Sequence, residues 1–261
     1  MNVQETAYAK LNLALHVRRR RADGYHELET VFAFCADGDL LSAELADTTS
    51  LTIDGPFAEG LSVTDNLVVR AATAIGVTAR LHLVKNLPVA SGIGGGSADA
   101  AATLRLLARL SGRDLPPVDI QRGLGADVSA CVVSQTMRGE GVGEALSREA
   151  SVAGTPVLLV NPRVGLSTAA VFRAWDGVDH GPLGEWRSGR NDLEAPACAL
   201  VPEIIDLIDW LKRCHDVTLA RMSGSGATCF AAFGSESARA DACAALAKRF
   251  PDYWAMESVL R

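Results

Sequence analysis

The chain has 261 residues, 48% of them hydrophobic and 21% charged, with a net charge of −6 at pH 7. That length accommodates one large domain or two small ones with a sizeable core, and the acidic balance speaks against a general nucleic-acid binder. No apolar run approaches the ~20 residues of a membrane span, and the opening MNVQETAYAK has neither a basic leader nor an apolar core, so no secretion signal or membrane attachment is expected.

Residues 7–17, AYAKLNLALHV, alternate with period two. Ala7, Ala9, Leu11, Leu13, Leu15 and Val17 share one face, and Tyr8, Lys10, Asn12 and His16 the other, which predicts a strand. RRRRADGYH follows with Asp23-Gly24 as a turn signal, and HELETVFAFC (26–35) completes a long hairpin. TDNLVVRAATAIGV (64–77) has helical spacing, with Thr64 or Asp65 as its cap. ARLHLVKNLP (79–88) predicts a short strand stopped at Pro88. From Ser97 the pattern is helical again, with Ala100, Ala101, Leu104, Leu107 and Ala108 on one stripe and Gly112 as the terminator. RGLGADVSACVV (122–133) reads as a glycine-containing turn leading into an apolar segment.

Past residue 150 the pattern restarts. TPVLLVNP (155–162) predicts a buried strand, and PEIIDLIDWLKRC (202–214) an amphipathic helix with Ile204, Ile205, Ile208 and Leu211 inward. MSGSG precedes a strand in ATCFAAF (227–233), ESARADACAALAKRF (236–250) is a helix, and YWAMESVL (253–260) a last strand. SGRND (188–192) reads as a loop. Two sets of mixed strands and helices predict a two-lobed α+β protein, divided as 1–150 and 151–261. The six cysteines are scattered, without a C-x-x-C pair, and fit free thiols in a reducing cytoplasm. Lysine is rare: Lys10, Lys85, Lys212 and Lys248 stand against a surface dominated by arginine.

GIGGGS (92–97) immediately precedes a helix. Open N–H groups at a helix start, the helix dipole, and glycines that let an anion approach the backbone together make a phosphate cradle. A flexible turn with a plain Ser97 cap is the competing reading. The loop is neither a Walker A motif, since no GK occurs in the chain, nor a dinucleotide fingerprint, since Ser97 occupies the third glycine position.

PVASGIGGGSADAA (88–101) resembles the central phosphate-binding motif of the GHMP kinases, the galactokinase, homoserine kinase and mevalonate kinase superfamily. AKLNLALHVRRRRADGYHELETVF (9–32) is similar to the N-terminal motif of one branch, whose acceptor is 4-(cytidine 5'-diphospho)-2-C-methyl-D-erythritol. MSGSGATCFAAF (222–233), GADVSACV (125–132) and RNDLE (190–194) match in family order. Ile93 stands where Leu is usual, Ala98 where a second Ser is usual, and the arginine run 18–21 is longer than typical. The resemblance implies a two-lobed fold, ribosomal protein S5 domain 2-like followed by ferredoxin-like, with substrate and ATP in the cleft between the lobes. It also implies phosphoryl transfer from ATP to the 2-hydroxyl of that alcohol, in the non-mevalonate route to isoprenoid precursors, by a cytoplasmic monomer or weak homodimer.

Carried onto this chain, the resemblance makes Asp127 the base that accepts the hydroxyl proton and Lys10 the group that orients it; by pattern alone Asp127 is a helix cap and Lys10 a strand-surface lysine. Asn12, Tyr25, His26 and Phe172 are candidates for the substrate, with Phe172 walling the base from the far side or, equally, filling the core. ATP falls to Pro88, Val89, Ala90, Ser91, Gly92, Ile93, Gly94, Gly95, Gly96, Ser97 and Ala98, with Asn66 at adenine or as a turn residue. Ser97 is a candidate ligand for the expected Mg²⁺, and no carboxylate is assigned to it. Ser223, Gly224, Ser225 and Gly226 form a second glycine loop supporting the phosphate end, or a tight turn. Arg18 to Arg21 read as a solvated run rather than ligands.

Overall fold

The computed structural model describes residues 3–143 and 145–261. Strands β1 (Val3–Arg20), β2 (His26–Leu45) and β3 (Ser50–Asp54) lead to helix α1 (Leu67–Ile75), strand β4 (Ala79–Val84) and helix α2 (Gly95–Ser111). Two short helices, α3 (Val118–Leu124) and α4 (Val128–Val133), precede strands β5 (Met137–Gly141), β6 (Ala145–Arg148) and β7 (Pro156–Asn161). Helices α5 (Thr168–Ala174), α6 (Glu194–Leu200) and α7 (Glu203–Lys212) come next, then β8 (Val217–Met222), β9 (Cys229–Phe233), α8 (Glu236–Arg249) and β10 (Trp254–Val259). Among the described residues no helix is long and apolar enough to cross a membrane.

The chain forms two compact units, and they do not divide at residue 150. One comprises the chain up to Lys10, Asp37–Val89 and Gly94–Ser134; the other comprises Leu11–Ala36, Ala90–Ile93 and Gln135–Arg261. The division falls inside single elements, because β1 and β2 are each one continuous strand of 18 and 20 residues.

In the first unit, β4 pairs antiparallel with Leu40–Leu45 of β2, with Leu41 opposite Leu83, and parallel with β3. β2 extends well past the predicted Cys35. Asp37, Gly38 and Asp39 interrupt the apolar pattern, but Gly38 lies so close to β1 that a Cβ there would stand 1.9 Å from the Ala7 carbonyl oxygen. α1 is capped by Asn66, whose Oδ1 accepts the Val68 N–H, rather than by Thr64 or Asp65. α2 buries Ala98 to Leu104, Leu106 and Leu107, so it is enclosed on more than the single predicted stripe.

In the second unit, Leu28–Phe32 of β2 pair with β5, and β5 pairs with β6; neither β5 nor β6 was legible as a strand. This unit also holds Leu11–Arg20 of β1, which pairs with β2, and a four-stranded antiparallel sheet in the order β10-β7-β9-β8, with α5 to α7 between β7 and β8 and α8 between β9 and β10. That is the split βαβ arrangement of ferredoxin-like folds. Its core combines Leu158, Val160, Ile204, Leu207, Ile208, Leu211 and Phe233. Leu207 takes the inward place expected for Ile205, which is exposed; positions 204, 207, 208 and 211 keep to one helical face.

Candidate active site

The polar face of β1 is buried, not solvated: Lys10, Asn12 and His16 are 4%, 3% and 2% exposed. A strand with apolar residues on one side and buried polar ones on the other has to supply partners for the second side. For Lys10, within the first unit, that partner is Asp127, with Nζ 3.1 Å from Oδ2. Asp127 does stand at the N-cap position of α4, yet its side chain makes no capping hydrogen bond. The ion pair, not the cap, is where the carboxylate points.

The three glycines explain the geometry around this pair. α2 begins at Gly95, two residues before the predicted Ser97, with Gly94 as a left-handed N-cap (φ 66°) and no side-chain cap. A Cβ on Gly94 would lie 3.0 Å from Cε and 3.2 Å from Cβ of Lys10; one on Gly95 would lie 3.1 Å from Lys85 Nζ; one on Gly96 would lie 3.3 Å from Leu67. Each glycine therefore makes room for a named side chain, two of them lysines. The first N–H of α2 with a backbone acceptor is that of Ala98, to Gly94 O, so the N–H groups of Gly95, Gly96 and Ser97 are left without one, as helix starts that bind anions require. Upstream, left-handed φ at Ala90 (50°), Gly92 (79°) and Gly94 (66°) alternates with ordinary φ at Ser91 and Ile93, the pattern of anion-binding backbone nests. Pro88, Ser91, Ile93 and Ala98 are buried, while Val89 and Ala90 are exposed. Ser97 occupies the third position of α2, and a Cβ on Gly125, two residues before Asp127, would stand 3.4 Å from its Oγ. Asn66 is occupied as the cap of α1, and its Nδ2 donates to Ser62 O.

In the second unit, the segment Ala90–Ile93 docks on the second glycine loop. Thr228 N donates to Ser91 O (3.1 Å), and Ser223 Oγ donates to Gly92 O (3.0 Å). Asn12 joins the same loop, its backbone N–H donating to Ser223 Oγ (3.1 Å) and its Nδ2 to Thr30 Oγ1 (2.8 Å). Ser225 Oγ pairs with Thr168 Oγ1 (2.8 Å). Asn191 of the RNDLE stretch donates to the carbonyls of Met222 (2.9 Å) and Gly224 (2.8 Å), and Asp192 accepts the Val17 N–H (2.8 Å). The motif thus clamps the glycine loop and β1, a role its polar composition did not announce.

The aromatic candidates lie in the second unit. His26 and Phe172 stack on each other, with ring centroids 4.6 Å apart at 27°, so a base cannot lie between those two rings. Trp175 meets His26 edge-on at 5.6 Å. Tyr25 is 63% exposed and presents an open ring. Burial, and then the Arg20 charge, holds the His26 imidazole below its ordinary pKa. Three arginines of the run form ion pairs: Arg18 with Glu29 and Asp179, Arg19 with Glu27, Arg21 with Asp23.

His16 is a buried imidazole bridging Gly181 O at Nδ1 (3.1 Å) and the Arg190 N–H at Nε2 (3.3 Å), which requires the neutral ring with its proton on Nδ1. Desolvation lowers its pKa, and the Gly181 carbonyl, Asp192 and Glu29 oppose the shift only partly, while Arg190 adds to it. Its contribution to stability is therefore complete above the unfolded value of about 6.5 and is lost as pH falls through the lower folded value. Thermal melts between pH 7 and pH 5 should show a shallower fall for His16→Gln than for the parent; equal slopes would contradict this.

Sequence reasoning missed a buried charge cluster in the first unit: Lys85, Asp39 and Asp99. Burial drives the Asp99 carboxyl up to about 7 against the pull of the Lys85 ammonium. Burial also disfavours the Lys85 charge, but Asp99 and Asp39 together hold its pKa above the ordinary lysine value. The only available signal was a lysine, at the end of a strand, in a chain that prefers arginine. None of the six cysteines forms a disulfide, and burial raises the thiol pKa of Cys131 and Cys229 well above the ordinary value.

A glycine-led helix beside a Lys–Asp pair, with a ferredoxin-like second unit, is the construction of a GHMP-type small-molecule kinase. The family descriptions "GHMP kinases N terminal domain" and "GHMP kinases C terminal" match residues 66–139 and 178–252. A 4-diphosphocytidyl-2-C-methyl-D-erythritol kinase of Rhizorhabdus wittichii is 53% identical, covering 100% of this chain and 96% of its own. The corresponding protein of Sphingopyxis alaskensis is 49% identical, covering 99% of each. The crystal structure of a 4-(cytidine 5'-diphospho)-2C-methyl-D-erythritol kinase superposes with a TM-score of 0.84 at 32% identity over 99% of both chains. The chain belongs to the 4-diphosphocytidyl-2-C-methyl-D-erythritol kinase family of the GHMP kinases.

Proposed function

We propose that this protein transfers the γ-phosphoryl group of ATP to the 2-hydroxyl of 4-(cytidine 5'-diphospho)-2-C-methyl-D-erythritol, acting in the cytoplasm as a monomer or weak homodimer. The observation that carries the reading is the Lys10–Asp127 pair at 3.1 Å, with the Lys10 stem lying against Gly94 at the start of α2. Asp127 takes the proton of the attacking hydroxyl. Lys10 holds that carboxylate in place and opposes negative charge building on the attacking oxygen. The N–H groups of Gly95, Gly96 and Ser97 and the α2 dipole take the phosphates, so that the chain supplies mostly positioning and electrostatics, as phosphoryl transfer demands.

Among the described residues no group of three or more His, Cys, Asp or Glu side chains is placed to hold a metal. The Ser97 hydroxyl suits Mg²⁺ as a single oxygen ligand, the rest of an octahedral shell coming from phosphates and water. When bound, the ion neutralises phosphate charge. Tyr25 and His26 serve the cytosine end, with Phe172 supporting His26 from behind by stacking. Asn12 serves the acceptor hydroxyls.

Coupled release of ADP, measured with the cytidine-diphosphate-linked alcohol, homoserine and mevalonate in parallel, tests the reading. Turnover is expected with the first alone. Stoichiometric ADP with either of the others, or none with all three, would refute it.

A further inference from the structure

Lys85 follows β4 directly, and the phosphotransfer chemistry does not use it. Its side chain is 4% exposed, and its ammonium lies 2.5 Å from Asp39 Oδ2 and 2.7 Å from Asp99 Oδ2. Three segments of the first unit meet there. Asp39, on β2, is fully buried, and its other oxygen accepts the N–H groups of Asn86 (2.6 Å) and Leu87 (2.8 Å), the residues that lead into the glycine segment. Asp99, in the second turn of α2, leaves Oδ1 buried without a partner. Gly95, the first residue of α2, has room for no Cβ beyond 3.1 Å from Nζ. The ammonium therefore lies against the turn whose N–H groups are left without a backbone acceptor.

We propose that Lys85 is a positioning residue for nucleotide binding: clamped by Asp39 and Asp99, it fixes the first turns of α2 against the end of β4 and cancels carboxylate charge behind the N–H groups of Gly95, Gly96 and Ser97. The inference rests on reading those groups as the seat of the ATP phosphates. A buried ion cluster is weak evidence for stability, because desolvation consumes most of its Coulomb energy. Its value lies in what it orients. Charge behind an anion seat also matters, since buried carboxylates are screened far less than surface ones.

The test is ATP binding by calorimetry, with steady-state KM for ATP and for the acceptor and a melting curve, on the full chain and on Lys85→Met, Asp99→Asn and the double variant. Lys85→Met should weaken ATP binding about 10-fold or more, the scale of a displaced positioning group, and leave the acceptor KM within about twofold. Asp99→Asn keeps the ammonium and Asp39 and should lose less than Lys85→Met. The double variant should show the same ATP-selective loss relative to Asp99→Asn, and stands in for Lys85→Met should that variant not fold. Equal ATP affinity in each variant and its parent, or equal loss for ATP and acceptor, would overturn the positioning role while leaving the kinase reading intact. Absence of ATP binding by the parent protein would overturn both.

Discussion

Replacing Asp127 by Asn is expected to lower kcat by about 10²–10⁴-fold, the range a positioned general base contributes, while ATP binding stays near the parental value. The carboxamide keeps the shape of the side chain and removes its capacity to take a proton. Asp127 makes no capping bond to α4, so the substitution does not unfasten that helix. The Lys10 ammonium, 5% exposed, loses its counter-charge in this variant, so a melting curve accompanies the rate assay and the comparison is made where both proteins are folded. Lys10 differs, being almost enclosed, with its stem against Gly94. Lys10→Met should therefore depress kcat as well. Because the two groups act on one proton and one oxygen, the double variant should lose much less than the product of the single losses. Rate assays with saturating ATP, together with calorimetric ATP affinities, separate these outcomes. A silent Asp127→Asn would remove Asp127 from the chemistry and favour a protein that only binds nucleotide.

What was legible follows from range. β1 alternates cleanly because one side packs apolar residues and the other holds Lys10, Asn12 and His16, and a local pattern suffices to see that. Helices α1, α2, α7 and α8 announce themselves by spacing within a few turns. Asp127 could be singled out only through likeness to a family, since its local sequence equally describes a helix cap; the decision came from a lysine on β1, distant in the chain. The continuation of β2 was illegible because Asp37, Gly38 and Asp39 look like a turn. Gly38 is instead dictated by the Ala7 backbone, and Asp39 by Lys85 and two N–H groups. The stacking of Phe172 on His26 was not legible either, a matter of ring geometry that no spacing encodes. Arg221 on β8 carries its charge inside because its guanidinium is spent on the carbonyls of Leu13, Trp186 and Arg187, partners from distant segments that no local pattern marks.

The glycine motif was read as room for phosphate, and for Gly92 that reading leads to the wrong expectation. Gly92 has φ 79°, and a Cβ there would stand 2.3 Å from Ser223 O and 2.8 Å from both N and O of Gly226. All three are backbone atoms, held in turn by the Ser223–Thr228 and Gly226–Ser223 hydrogen bonds, so nothing nearby can swing aside. Gly92→Ala should therefore be a stability variant first: about 1 kcal/mol for the left-handed conformation and roughly 1–3 kcal/mol for the clash, together a fall in Tm on the order of 5–15 °C. Gly60 is the control. It has the same sign and nearly the same φ, 78°, but open space within 4 Å of a Cβ, so Gly60→Ala meets the conformational cost alone. The difference between the two melting temperatures isolates the steric contribution of loop against loop. Equal shifts would mean that the Ala90–Ile93 segment can retreat from the second glycine loop without cost, and that the backbone contact at Gly92 does not explain why the motif needs a glycine there.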